Sequence, residues 1–154
     1  METGFSHIPV MLREVLEGLS PRAGGIYADG TLGGGGHSEA ILRLIGETGQ
    51  LYGIDRDPAA LKAAAQRLRA YPGFHPIHGN FHDVKELLGE VKLDGGLLDL
   101  GVSSHQLDTP ERGFSYHEEA PLDMRMDTSQ GETAADWLNQ TPEKEITQAL
   151  YDYA

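Results

Sequence analysis

The chain has 154 residues, with 24 Asp and Glu against 12 Lys and Arg, a net charge of −12 and no cysteine. Disulfides and Cys-bound zinc or iron–sulfur centres are thereby excluded, and the acidic balance speaks against nonspecific nucleic-acid binding, which depends on Lys and Arg at phosphates. The length suits one domain with a real core. The opening residues lack the basic-then-apolar pattern of a secretory leader, and no run approaches the roughly 18 apolar residues of a membrane span. These features, with the missing thiols, set the expectation of a cytoplasmic protein without a membrane segment.

A helix is predicted over residues 8–19, where Ile8, Met11, Leu12, Val15, Leu16 and Leu19 recur at helical spacing. Pro9 fits its first turn, where a missing N–H has no helical partner. Residues 25–29 read as a strand, 30–36 as a glycine-rich turn, and 37–45 as a helix with Ala40, Ile41, Leu44 and Ile45 inward. A second strand follows at 50–54 and ends on Asp55. Asp57 suits an N-cap, with Pro58 at the first helical position. An Ala-rich helix then extends to Tyr71, closed by Pro72-Gly73. Residues 74–78 read as a third strand and 83–88 as a short helix. Residues 94–100 read as a fourth strand, with Leu97, Leu98 and Leu100 apolar as a buried parallel strand requires.

Strands alternating with helices imply an α/β fold, a doubly wound parallel sheet. Its strand ends and the loops after them share one edge, where ligands bind. The pattern changes after Leu100. Residues 101–131 are rich in Ser, Asp, Pro and Gly without periodicity, a loop of about 30 residues of the kind usually tied to function. Two helices are expected after it, one over 133–139 and one from Thr141-Pro142 to the end. Trp137, Leu138, Ile146, Leu150 and Tyr153 form their apolar faces.

The chemistry concentrates in Asp29-Gly-Thr-Leu-Gly33-Gly34-Gly35-Gly36-His37. Glycines permit a tight bend and close approach of a ligand, and the helix behind them offers free N–H groups to a carboxylate or phosphate. Asp29 beside the bend repels a pyrophosphate and attracts the cationic S-adenosylmethionine. A dinucleotide fingerprint fails at its third glycine, where Ser38 stands. The competing reading of the run is a purely structural turn.

Asp55 lies 20 residues beyond Gly35, the place of a carboxylate that accepts from ribose hydroxyls. Phe81 suits either an adenine face or the core. Asp99 suits either a contact to an exocyclic amine or cofactor, or a buried cap. His75, His78 and His82 are separated by Gly79-Asn80, which breaks any helix that would align them, so no metal site is expected. In the long loop, Arg112 and Arg125 are the candidate phosphate contacts.

In order along the chain, His7-Ile-Pro-Val-Met-Leu-Arg-Glu-Val15, the run from Asp29 to Ser38, Gly53-Ile-Asp-Arg-Asp-Pro58, the run from Asp94 to Ser104, Gln106-Leu-Asp108, Arg112-Gly-Phe-Ser115 and Pro121-Leu-Asp-Met-Arg-Met-Asp127 resemble the 16S rRNA cytosine N4-methyltransferases, also called MraW or RsmH. The resemblance implies a Rossmann-like class I methyltransferase with S-adenosyl-L-methionine as cofactor. Its cofactor contacts fall on Gly35, Gly36, His37, Asp55, Phe81, Asp99 and Gln106, to which the reading of the residues adds Asp29 and Gly33. The implied reaction is methylation of a cytosine N4 amine, with 16S rRNA in the small ribosomal subunit as partner and Asp99 as the candidate for positioning the amine. A homo-oligomer is left open.

Two departures stand out. His105 occupies a position where family members usually carry Pro. The family's chains are also about twice as long, so this one is expected to stop inside a helical insertion. On that reading residues 1–104 form the cofactor core, 105–131 a substrate and cofactor loop, and 132–154 the start of the helical substrate domain. The fourth strand is then left with an open edge and an incomplete sheet, and the RNA-contacting surface lies elsewhere. The chain alone is expected to bind cofactor weakly and methylate poorly. The rival readings are an inactive cofactor-binding remnant and, from another class, a nicotinamide-binding dehydrogenase domain.

Overall fold

A computed structural model describes residues 9–153. It divides into two compact units, one ending at Gly101 and the other beginning at Val102.

The first unit is built on four parallel strands. These are β1 (Ile26–Asp29), β2 (Gln50–Asp55), β3 (Phe74–His78) and β4 (Gly95–Leu97), in the order β3-β2-β1-β4. Pairing runs from Ile26 opposite Gln50 to Asp29 opposite Gly53, and Asp55 lies opposite His78. The chain steps outward from β1 to β3, then crosses back to place β4 on the other side of β1. Strand order thus reverses at β1, and open α/β sheets hold ligands at the carboxyl ends of strands at such a reversal.

Helix α1 (Leu12–Leu19) precedes β1, and α2 (Gly36–Ile45), α3 (Pro58–Arg67) and the single-turn α4 (Val84–Leu88) connect the strands. The core gathers Tyr27, Leu32, Ile41, Leu42, Ile45, Leu51, Ala64 and Leu68, with Leu16 and Leu19 of α1 packed against it. In α2 the inward face is Ser38, Ile41, Leu42 and Ile45, an i, i+3, i+4, i+7 stripe. Leu42 takes the inward place expected for Leu44, which is exposed. Asp57 caps α3 as its sequence implies, accepting from the Ala59 amide at 2.9 Å, with Pro58 at the first position. The helix closes at Arg67, four residues short of Tyr71.

Two further expectations need correction. The first helix begins at Leu12, because Met11 sits in left-handed backbone (φ 50°) and the Val10 carbonyl is engaged by the His37 ring. Ile8 lies outside the described residues. The fourth strand spans only Gly95–Leu97, and Leu98 and Leu100 are exposed instead of buried. Among the described residues β4 pairs only with β1, whose last residue, Asp29, lies opposite Leu97. The open edge itself is as expected.

The second unit holds α5 (Ser104–Leu107), a single 3-10 turn at Pro110–Arg112, α6 (Ala134–Gln140) and α7 (Glu143–Tyr153). The stretch expected to be structureless therefore contains two short helical pieces. Ser103 starts the first: its hydroxyl accepts the Gln106 amide and the Gln106 side chain accepts the Ser103 amide, a reciprocal cap that periodicity cannot reveal. Among the described residues no helix is long and apolar enough to cross a membrane.

Candidate functional site

The glycine bend between β1 and α2 is stitched to the strands on both sides of β1. The Gly30 amide donates to the Leu97 carbonyl of β4 at 2.9 Å, and the Leu32 amide donates to the Ile54 carbonyl of β2 at 3.1 Å. Gly33 and Gly35 take left-handed backbone, φ 50° and 77°, which glycine adopts without penalty. A Cβ on Gly35 would meet Leu68 Cδ1 at 3.1 Å, and one on Gly36 would meet Pro9 Cγ at 2.5 Å. The bend is therefore bare backbone pressed between neighbours, ending on the first turn of α2, whose amides have no intrahelical partner.

Two carboxylates hold this bend. Asp29, at the tip of β1, is 1% exposed. Its Oδ1 accepts from the Thr31 amide at 3.1 Å and the Thr31 hydroxyl at 3.4 Å, and its Oδ2 accepts from the Ser38 hydroxyl at 2.7 Å. Burial pushes its carboxyl above the usual range, against the opposing pull of those donors and of His37. Asp29 thus lies deeper than its sequence position suggests: its oxygens anchor the bend and do not face an open cleft.

Asp55, at the tip of β2, grips the bend from the other side. Its Oδ2 accepts from the Gly33 amide at 2.8 Å, and its Oδ1 accepts from the Asp57 amide at 2.9 Å. Burial raises its carboxyl as well, with the charge of Asp57 adding to the effect and the backbone donors opposing it. It remains partly exposed. A carboxylate offers about four acceptor positions on its two oxygens, so Asp55 keeps capacity for hydroxyl donors. Bare backbone, unpartnered first-turn amides and an acid with spare acceptor positions suit an adenosyl ligand carrying a ribose and a carboxylate.

The other candidates fall as follows. Phe81 opens a 3-10 turn (Phe81–Asp83) and is half-buried over Gly30, where an added Cβ would meet Phe81 Cβ at 2.9 Å and Leu98 Cδ2 at 2.5 Å. Asp99 lies two residues past the end of β4, not on it. Its amide donates to Thr31 Oγ1 at 2.7 Å, and its half-exposed carboxylate stands 3.8 Å from His37 Nδ1. The structure thus brings Asp29, Gly33, Gly35, Gly36, His37, Asp55, Phe81 and Asp99 to one edge of the sheet. Thr31 and Ser38 belong with them, and sequence reasoning passed over their role. The signal for Ser38 was its place where a dinucleotide loop carries glycine.

Gln106, Arg112 and Arg125 lie in the second unit. Gln106 is buried at its helix cap. Arg112 is buried too. Its Nη2 donates to the carbonyls of Arg125 and Met126, both at 3.0 Å, and its guanidinium lies over Phe114. Arg125 makes a two-pronged bond to Asp123 through Nε at 2.9 Å and Nη2 at 2.7 Å. These contacts fold residues 112–126 into a defined loop. The three histidines point to different partners, His75 to Gln50, His78 to the Arg56 carbonyl and His82 to Asp83. No group of three or more potential metal ligands occurs among the described residues.

A parallel sheet that reverses at β1, with a glycine bend held between two strand-tip acids, has the Rossmann-like architecture of S-adenosylmethionine-dependent methyltransferases. Solved structures share it. A protein-L-isoaspartate O-methyltransferase superposes with a TM-score of 0.53 at 16% identity, covering 61% of this chain and 30% of its own. A SAM-dependent O-methyltransferase from Thermotoga maritima gives 0.50 at 18% identity, covering 68% of this chain and 36% of its own.

The chain belongs to the MraW methylase family, whose model matches residues 4–154. Curated proteins named ribosomal RNA small subunit methyltransferase H are similar to it. That of Trichlorobacter lovleyi is 58% identical over 153 residues, covering 97% of this chain and 49% of its own length. Those of Geobacter sulfurreducens and Deinococcus radiodurans are 54% and 51% identical, again over 97% of this chain, and over 49% and 47% of their own lengths. The chain spans about half the length of the curated relatives it matches.

Proposed function

We propose that this chain carries the S-adenosyl-L-methionine site of a cytoplasmic methyltransferase whose substrate is the N4 amine of a cytosine in 16S rRNA of the small ribosomal subunit. The observation that carries the reading is Asp55, which holds the Gly33 amide while keeping acceptor capacity at a partly exposed strand tip. Family membership and the names of the relatives support the reaction class.

Bound S-adenosylmethionine supplies an activated methyl group. The residues of this chain bind and orient. Asp55 accepts from the ribose hydroxyls, which favours its ionised form. The first-turn amides at Gly36 and His37 receive the ligand carboxylate, where the α2 dipole also favours negative charge. Phe81 supplies an apolar surface for the adenine. Asp29 acts through the bend, fixing its shape and adding negative potential beneath a cationic donor. Asp99 accepts a hydrogen bond from the target amine and holds it in line.

Such alignment can supply roughly 7–11 kcal/mol toward the barrier. A cytosine amine is a weak nucleophile, because its lone pair is delocalised into the ring. The base must also leave its stack to be reached. The family resemblance adds Gln106 to the cofactor contacts. Of the two loop arginines, Arg125 has the more exposed guanidinium for an RNA phosphate, and Arg112 shapes the loop. Residues 105–131 then serve as the substrate loop and 132–154 as part of a helical substrate domain.

A second reading, a chain that binds cofactor without turnover, is favoured by the open β4 edge with Leu98 and Leu100 exposed. Radiolabelled methyl transfer to 30S particles separates the two. Label in a 16S rRNA cytosine supports transfer, and cofactor binding without label supports the second reading. Calorimetry that shows NAD binding in place of S-adenosylmethionine would refute both.

A further inference from the structure

His37 and Asp99 make a pair whose proton chemistry goes beyond holding a cofactor. The His37 ring is buried at the first turn of α2, and its Nε2 lies 2.9 Å from the Val10 carbonyl. A carbonyl oxygen only accepts, so Nε2 carries the hydrogen. In the neutral ring Nδ1 is then a bare lone pair, and it faces Asp99 Oδ2 at 3.8 Å. Two acceptors so placed offer one site for a proton between them. The Asp99 backbone is pinned separately by Thr31 Oγ1, which in turn donates to Asp29. Among the described residues, the groups facing His37 are Asp99 after β4, buried Asp29 at the tip of β1, whose charge reaches the ring, and the Val10 carbonyl before α1.

We propose that His37 is a positioning residue behind Asp99, and that the two form a one-proton couple that takes up the proton shed by the methylated amine. The inference rests on the reading of Asp99 as the amine's partner. In the step it serves, the amine lone pair forms the new N–C bond, and the electron pair of the broken C–S bond leaves with sulfur. The surplus proton on nitrogen passes to the Asp99 carboxylate and then to His37 Nδ1. Solvent recovers it from the half-exposed Asp99 side.

The test is NMR on the whole 154-residue chain, with ¹⁵N-labelled histidine and ¹³C-labelled aspartate, across a pH titration. The expected result is a His37 ring with hydrogen on Nε2 at alkaline pH. The Asp99 carboxyl carbon is expected to show an inflection that tracks His37 protonation and disappears in His37→Gln. A ring with hydrogen on Nδ1 instead, or an Asp99 signal that ignores His37, overturns the couple. The tautomer is read on the unmutated chain, so the test survives a variant that fails to fold. Calorimetry with S-adenosylmethionine on the same sample separates the two claims. A coupled pair without cofactor binding refutes the proposed function alone, and binding without coupling refutes the couple alone.

Discussion

The Ser38 hydroxyl donates to the Asp29 carboxylate at 2.7 Å, and neither side chain meets solvent. This bond fastens the first turn of α2 to the tip of β1, so the glycine bend cannot open without exposing or orphaning a buried acid. Ser38→Ala removes one of three donors to Asp29 while barely changing volume. The expected cost is about 1–3 kcal/mol, that of a buried polar group deprived of its partner. Urea unfolding at neutral pH measures it, and a loss within experimental error would contradict the anchoring role.

The buried acid also gives the fold a signed pH dependence. Burial raises the Asp29 carboxyl above its ordinary value of 3.8. A group raised on folding contributes stability that is fully present below its unfolded pKa and is lost as pH rises through the folded one. Asp29→Asn has no such titration. The unfolding free energy of the wild type is therefore expected to decline relative to Asp29→Asn as pH climbs above about 4. Denaturant melts across pH check this, and a wild type that gains on the variant with rising pH would reverse the sign.

Gly35 combines backbone strain with crowding. Its backbone is left-handed (φ 77°, ψ 20°), and an added Cβ presses on Leu68 Cδ1 at 3.1 Å and on Ala64 Cβ at 3.3 Å. Left-handed backbone alone costs an alanine roughly 1–2 kcal/mol. Gly35→Ala is expected to cost more than that in urea unfolding, and a loss no larger than the backbone cost would remove the argument for a tightly pressed bend.

Asp55→Ala is expected to weaken S-adenosylmethionine binding at least tenfold, since hydrogen bonds to a charged group are worth about 1.5–3 kcal/mol each. Asp55→Asn keeps an acceptor for the Gly33 amide and is expected to lose less. Affinity in the wild type should rise with pH through the raised Asp55 carboxyl, because the ionised form is the better acceptor. Isothermal calorimetry reads all three, and unchanged affinity in Asp55→Ala would remove Asp55 from the site.

Much of this was legible in the sequence because local rules dictated it. Asp57-Pro58 announced the start of α3, and the alternation of strands and helices announced a parallel sheet, with Asp29 and Asp55 at the tips of neighbouring strands. The failures have long-range causes. Leu98 and Leu100 look like core residues, but β4 lies at the sheet edge and ends at Leu97, a placement that no local pattern reveals. Leu44 shares the apolar character of Leu42, and only the sheet's position decides which of them faces inward. The inward turn of Asp29 follows from Ser38 and Thr31, whose hydroxyls reach it only once the bend has folded. The His37 ring meets Val10 and Asp99 from opposite ends of the first unit, a meeting that spacing does not encode.

The central claim is that the bend held by Asp29 and Asp55 receives S-adenosylmethionine. Its most direct test is the backbone amide NMR spectrum of the chain titrated with that ligand, and with NAD in a parallel sample. The expected result is saturable shifts at Gly33, Gly35, Gly36, His37 and Asp55 with S-adenosylmethionine and none with NAD. Shifts confined to other surfaces, or a response to NAD in place of S-adenosylmethionine, would contradict it.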